Sequence, residues 1–192
     1  MNIYLFRLVT CLLITGAAFF SALSEAVIPE QKVIASDDAR DDRFGGSVSI
    51  DGDTAIIGAG GDDYNGNDVG AAYVFTRSNE AWIEQQKLTV SGHILGFGGS
   101  ISLDGDTAMI SAGGNGSFPS SIYFFSRRND VWSEQQRLLP GSYYDSFGAT
   151  ALDGDTVIIG GSEHDGSGHY SGAAYVFKRI NGVWTEQQKL AA

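Results

Sequence analysis

An all-β fold of antiparallel four-stranded blades, arranged as a partial three-blade β-propeller, is what the sequence predicts. Three observations predict it. A unit of about 50 residues recurs: Phe44, Phe97 and Phe147 lie 53 and 50 residues apart, and Trp82, Trp132 and Trp184 lie 50 and 52 apart. A period in this range marks propellers and solenoids. Each unit is a series of short apolar runs separated by Asp-Gly and Gly-rich turns, and nothing after residue 26 shows a helical period. The composition agrees, since 26 glycines in 192 residues with 18% charged residues fit a turn-rich β protein rather than a disordered chain.

The first 26 residues stand apart. Arg7 precedes an apolar run from Leu8 to Phe20, and Ser24-Glu25-Ala26 follows with small residues at the −3 and −1 positions. That order is the pattern of a cleaved secretory signal peptide. The run is 13 residues, short of the ~20 a membrane span needs. Cys11, the lone cysteine, leaves with the signal. The expected mature protein is therefore secreted or displayed on a cell surface, and it carries no disulfide.

Residues 30–35, EQKVIA, echo EQQKL at 84–88, EQQRL at 134–138 and EQQKL at 186–190. The mature chain thus opens on a copy of the unit's last strand, and an acidic loop, SDDARDDR, follows to Arg43. In the first unit, Ser47 to Ile50 alternates polar and apolar, as a strand with one covered face does. Asp51-Gly52 then signals a tight hairpin. Thr54 to Ala59 and Ala71 to Thr76 are apolar on both faces, as central strands are. A turn at Ser78-Asn79-Glu80 leads to Trp82–Leu88, whose mixed polarity suits an outer edge. The second and third units repeat this order, giving a signal peptide at 1–26, a leading outer strand and acidic loop at 27–43, and blades at 44–96, 97–146 and 147–192.

Phe44-Gly45 with Gly58-Ala59, in a unit that ends YVF and W-x-E-Q-Q-K-L, resembles the FG-GAP repeats of integrin-alpha-type propellers, closest to their secreted bacterial and marine variety. Kelch repeats share the period, but the DGDT hairpin and the FG start favour FG-GAP. The resemblance implies a propeller used for binding or adhesion. Some features depart from the pattern. Gly60, Gly113 and Ser162 stand where the family has the Pro of GAP, and the third unit has lost one residue in its first strand. Integrin-type blades that hold calcium carry a long D-x-D-x-D-G-x-x-D loop between strands one and two. Here a tight Asp51-Gly52-Asp53-Thr54 turn replaces it, and calcium takes six to eight oxygen ligands. No metal site and no cofactor are expected.

Aromatic and Asp residues present in all three units read as blade structure. Residues that one unit has and the others lack are the functional candidates. They fall on loops that a propeller gathers on one face: Asp62, Asp63, Tyr64, Asn67 and Asp68; Tyr143, Tyr144 and Asp145; His164 and His169. Acidic and aromatic residues together suit a protein or glycan ligand. A net charge of −11 without a basic stripe excludes nucleic acid as partner. G-x-S-x-G and H-E-x-x-H motifs are absent. The expected function is a secreted interaction or adhesion module without catalytic activity, the alternative being a hydrolase or lyase that uses the acidic loops. Three blades leave two sheet faces uncovered, with Ile56, Ile57, Val74, Val157, Ile158 and Val176 as the apolar residues concerned. The chain is therefore expected to self-associate or to belong to a longer propeller.

Overall fold

A computed structural model describes residues 30–63, 69–91, 94–113, 120–139, 147–161 and 172–191. The chain divides into two compact units, Met1–Glu30 and Gln31–Ala192, and every described strand lies in the second. The fold is all-β, a partial propeller whose sheets do not close into a ring. Blade 1 comprises β1 (Phe44–Asp51), β2 (Thr54–Ala59), β3 (Ala71–Ser78) and β4 (Ala81–Leu88). Blade 2 comprises β5 (Ile101–Asp104), β6 (Thr107–Ala112), β7 (Ser121–Arg128) and β8 (Val131–Leu138). Blade 3 comprises β9 (Phe147–Asp153), β10 (Thr156–Gly161), β11 (Ala173–Ile180) and β12 (Val183–Ala191). Each is a four-stranded antiparallel sheet in sequential order.

Local chemistry sets the turns. Asp51 pairs with Thr54 across the first hairpin, and Gly52 alone takes a positive φ of 55°. Gly at the first central position with positive φ is the type II′ pattern. The β3–β4 hairpin pairs Ser78 with Ala81 and puts both Asn79 and Glu80 at positive φ, the type I′ pattern. This turn is tighter than the sequence predicts, so β3 extends two residues beyond Thr76. At the other end, β1 begins at Phe44 rather than Ser47, because Phe44 pairs with Ala59 across a bulge that holds Gly45 and Gly46. The residue missing from the third unit is absorbed in the same bulge, where Phe147 pairs with Gly161 and Thr150 with Ile159. The register beyond it is unchanged.

Two seams join the blades. In the first, Ile56, Ala72, Val74 and Leu88 of blade 1 pack against Phe97, Leu103, Ile110, Tyr123, Phe125 and Trp132 of blade 2. In the second, Met109, Ile122 and Phe124 of blade 2 meet Phe147, Val157, Ile159, Tyr175, Phe177 and Trp184 of blade 3. Phe124 stacks on Trp184 with ring centroids 4.6 Å apart. The residues expected on uncovered faces therefore divide. Ile56 and Val74 are buried in the first seam and Val157 in the second, while Ile57 faces the open side of blade 1 and Ile158 and Val176 the open side of blade 3. Alternation along a strand tells which residues share a face, but not which face meets a neighbour.

The chain from Gln31 to Ala35 joins no ladder among the described residues. Its copies β4, β8 and β12 each pair with the third strand of their own blade, and no such strand stands beside residues 31–35. The segment lies instead against the open side of blade 1, where Val33 and Ala35 join Tyr73, Phe75 and Trp82.

The FG glycine has a steric reason at the first seam. Gly98 has φ of +93°, and a Cβ there would collide with the Ala71 carbonyl oxygen. We predict that Gly98→Ala destabilises by about 3 kcal/mol, because both the backbone conformation and the seam resist it. Gly105→Ala, at a hairpin with φ +54° and open space for a Cβ, should cost about 1 kcal/mol. Equilibrium denaturation of the two variants checks the order; equal losses would refute the steric account.

Candidate functional site

Each outer strand carries a bulge at the same place. Val74 pairs with Gln86 and Phe75 with Glu84, so Gln85 is the extra residue; Gln135 and Gln187 recur in that role. The bulge re-aims the second Gln. Gln86 Nε2 donates to the Trp132 carbonyl at 2.8 Å, and its Oε1 accepts from the Trp132 N–H at 2.9 Å. Gln136 clamps Trp184 in the same way at 2.9 and 2.8 Å. Gln31, in the leading segment, clamps Trp82 at 2.9 and 2.8 Å.

The DGDT turns belong to this framework. Asp51 accepts from the Gly105 N–H of the next blade, and Asp104 from the Gly154 N–H. Asp53, Asp106 and Asp155 each bind an arginine of their own blade, Arg77, Arg127 and Arg179. Each guanidinium also lies over the ring of Trp82, Trp132 or Trp184, at 5.4, 5.3 and 5.2 Å. Arg127 and Arg179 reach back across the seams to the hydroxyls of Thr54 and Thr107. The sequence reading missed both the Gln clamp and the arginine. Their signal was present, since Gln sits at one place in every E-Q-Q and Arg two residues after every Tyr-x-Phe.

One acidic cluster lies in blade 1. Asp62, buried at the end of β2, lies 2.6 Å from the Tyr73 hydroxyl and 2.8 Å from Lys87 Nζ. Asp37, from the acidic loop, lies 2.7 Å from the same hydroxyl and 2.7 Å from the same ammonium. Lys87 also sits over the Tyr73 ring. Ser36 adds two hydrogen bonds to the Glu84 carboxylate, at 2.8 Å each. Hydrogen bonds from Lys87 and Tyr73 hold the Asp37 carboxyl below its ordinary 3.8. Burial works to lower the Lys87 pKa, but the Asp37 and Asp62 carboxylates outweigh it and raise it above 10.5. Burial, then Asp62 and Asp37, push the Tyr73 phenol far up. Through these bonds the group anchors residues 36–38 on blade 1. Tyr123, the blade 2 counterpart, is pushed up to about 12 by burial, and its hydroxyl has no partner among the described residues.

Asp62 also builds the base of a loop. Its carbonyl accepts from the Gly70 N–H at 2.9 Å, and the Val69 carbonyl accepts from the Phe97 N–H at 2.8 Å. The two ends of the loop that carries Asp63 are thereby tied to each other and to blade 2. Of the candidates from sequence, Asp62 and Asp63 are described, with Asp62 in the anchor and Asp63 exposed. Tyr64, Asn67, Asp68, Tyr143, Tyr144, Asp145, His164 and His169 lie outside the described residues. Among the described residues, no group of three or more His, Cys, Asp or Glu is placed to hold a metal ion.

An FG-GAP repeat family model matches residues 29–75 and 132–177. The second match runs from β8 through most of β11, and the first from the leading segment through most of β3. The family unit is thus offset from the blade by one strand, and it places residues 31–35 at the position of an outer strand. No curated protein matches the chain.

Two outcomes follow from the clamp and the anchor. Gln86→Ala should destabilise by about 1–3 kcal/mol, because it leaves the Trp132 N–H and carbonyl unpaired in a partly buried seam. The bulged Gln85 makes one exposed bond, to the Asp130 carbonyl at 2.7 Å, so its Ala variant should lose less, about 0.5–1 kcal/mol, and matched melts of the two variants decide. For pH, the depressed Asp37 contributes fully above 3.8 and loses its contribution as pH falls through its lower folded value. The raised Lys87 contributes fully below 10.5 and loses its contribution as pH rises through its higher folded value. The melting temperature should therefore hold between these limits and fall outside them, and Asp37→Asn should flatten the acid limb. An unchanged acid limb in that variant would remove the anchor from the explanation.

Proposed function

Because this chain carries FG-GAP repeats, we propose that it is a secreted propeller-type interaction module that binds a protein or glycan ligand through its loops and catalyses nothing itself. The observation that carries this reading is the division of labour between shared and unshared residues. At the two seams and in the hairpins they adjoin, the Asp, Arg and Gln side chains common to the blades are engaged in turns and seams. Acidic and aromatic residues peculiar to one copy lie on connecting loops, and in blade 1 the loop base is tied by Asp62, Val69 and Gly70. Binding residues on loops held by a rigid sheet scaffold are the common arrangement. The pattern of residues 1–26 supports export and removal of the leader. Against the hydrolase alternative, Asp37 and Asp62 share their ammonium and phenol in an anchor and so lack the separate roles that paired catalytic carboxylates take.

The test is a screen of the secreted protein on glycan and peptide arrays, beside a panel of chromogenic glycoside and ester substrates. Binding is expected to be lost in Asp63→Ala, Tyr64→Ala and Tyr144→Ala at unchanged melting temperature. Silent arrays combined with turnover of any substrate would reverse the reading.

A further inference from the structure

The two seams inside the chain are built from the same parts, and the parts for a third are present on its two open faces. On the side that blades 1 and 2 turn to the next blade, Ile56 and Met109 are fully buried; Ile158, at the same position in blade 3, is 45% exposed. Val74 and Phe124 are likewise buried, whereas Val176 is half-buried. The polar parts follow. Gln86 and Gln136 clamp a tryptophan backbone, Thr54 and Thr107 receive an arginine, and Asp51 and Asp104 receive a glycine N–H. Gln188, Thr156 and Asp153 hold those positions in blade 3, and none has a side-chain partner among the described residues.

The opposite face of blade 1 has the complementary half. Val48 is 67% exposed, whereas Ile101 at the same position of blade 2 is 7% exposed beneath blade 1. Ile50, Ile57, Phe75 and Trp82 help line an apolar groove of about 430 Å³ there, which Val33 of the leading segment partly covers. The matching residues of blade 2, Leu103, Ile110, Phe125 and Trp132, enclose Ile56 and Val74 of blade 1 in one cluster. Ile158 and Val176 are the side chains that correspond to that filling. Arg77 and the Gly52 N–H stand where Arg127 and Gly105 meet the preceding blade.

We propose that two copies of this chain close head to tail, blade 3 of each seated on blade 1 of the other, into a ring of six blades. A head-to-tail contact forms a closed ring only if its rotation closes. Propellers close with about four to eight blades, and the three described blades taken twice fall in that range. The Trp82 backbone that Gln188 of a second copy must clamp is held by Gln31 of its own chain. The leading segment, pinned through Ser36 and Asp37, is therefore an internal competitor for the seam and must be displaced for the ring to close.

Sedimentation velocity of the full secreted chain over a wide concentration range is the test, with melting curves to show that each variant folds. A monomer–dimer equilibrium is expected. Gln188→Ala should weaken it about tenfold, and Ile158→Asp should leave monomer only. Gln31→Ala should tighten it, because its competitor is released. Val131→Asp, at a more exposed apolar position on the blade 2 hairpin, should leave it unchanged. Monomer at all concentrations in both the wild type and Gln31→Ala overturns the proposal. So does growth beyond the dimer, a dimer that survives Ile158→Asp, or equal dissociation by Val131→Asp.

Discussion

A glutamine side chain that copies a peptide bond is the interaction on which the rest of this structure depends. Trp132 pairs opposite Arg127 at a position that leaves its N–H and carbonyl turned away from β7. An outer strand with free backbone groups invites pairing with another chain. The Gln86 carboxamide supplies one donor and one acceptor at the spacing of a peptide unit, so it satisfies both groups without adding a strand. An aspartate or glutamate has no donor for the carbonyl, and a lysine has no acceptor for the N–H. In β4 the bulge at Gln85 turns Gln86 toward its target. Two features of E-Q-Q, the bulge and the clamp, are thus one device.

The same economy explains the twin aspartates of DGDT. Gly52 makes the turn possible, and the residues on either side of it face different duties. Asp51 looks outward to the next blade and accepts the Gly105 N–H. Asp53 looks inward and holds Arg77, which covers the Trp82 ring and fixes the edge of its own blade. In blades 2 and 3 the arginine does more, since Arg127 and Arg179 also bond a threonine of the blade before. In blades 1 and 2 the hairpin therefore has its carboxylates committed to the protein, a reason it differs from a calcium loop.

Strand positions were legible because their signals are local: alternation, Asp-Gly and Gly-rich turns, and an aromatic pattern that returns three times. The boundaries that differed did so for reasons that alternation cannot carry. Phe44 lies beyond a bulge, and Arg77 and Ser78 lie before a turn whose two central residues adopt positive φ without being glycine. The seams were half legible. Aromatics and apolar runs pointed to packing between blades, but the polar clamp was disguised as the polar outer edge of a sheet. Which of Ile56 and Ile57 meets a neighbour depends on the order of blades in space, and that is a global fact. The search for unshared residues did find Asp62, yet its carboxylate anchors the leading segment with Asp37, because burial beside a lysine and a phenol gives it partners inside the fold.

Repetition makes the energetics nearly one-dimensional: each blade is stabilised by itself and by its two neighbours. Among the described residues, blade 2 packs against two neighbours and blades 1 and 3 against one each. The leading segment alters this balance at one end only. Gln31 supplies the clamp, Val33 and Ala35 supply part of the apolar cover, and Ser36 and Asp37 fasten the segment down. Blade 3 has no counterpart among the described residues, and Ile158 and Leu190 remain exposed there. The chain is thus polar in the sense a filament subunit is polar, with one face half-satisfied from within and the other presenting an unfilled set of donors, acceptors and apolar side chains. What a fourth blade gains by docking is set at one end by the seam itself and at the other by the cost of lifting residues 31–38 away. The segment that covers part of blade 1 stands where the proposed partner blade would dock.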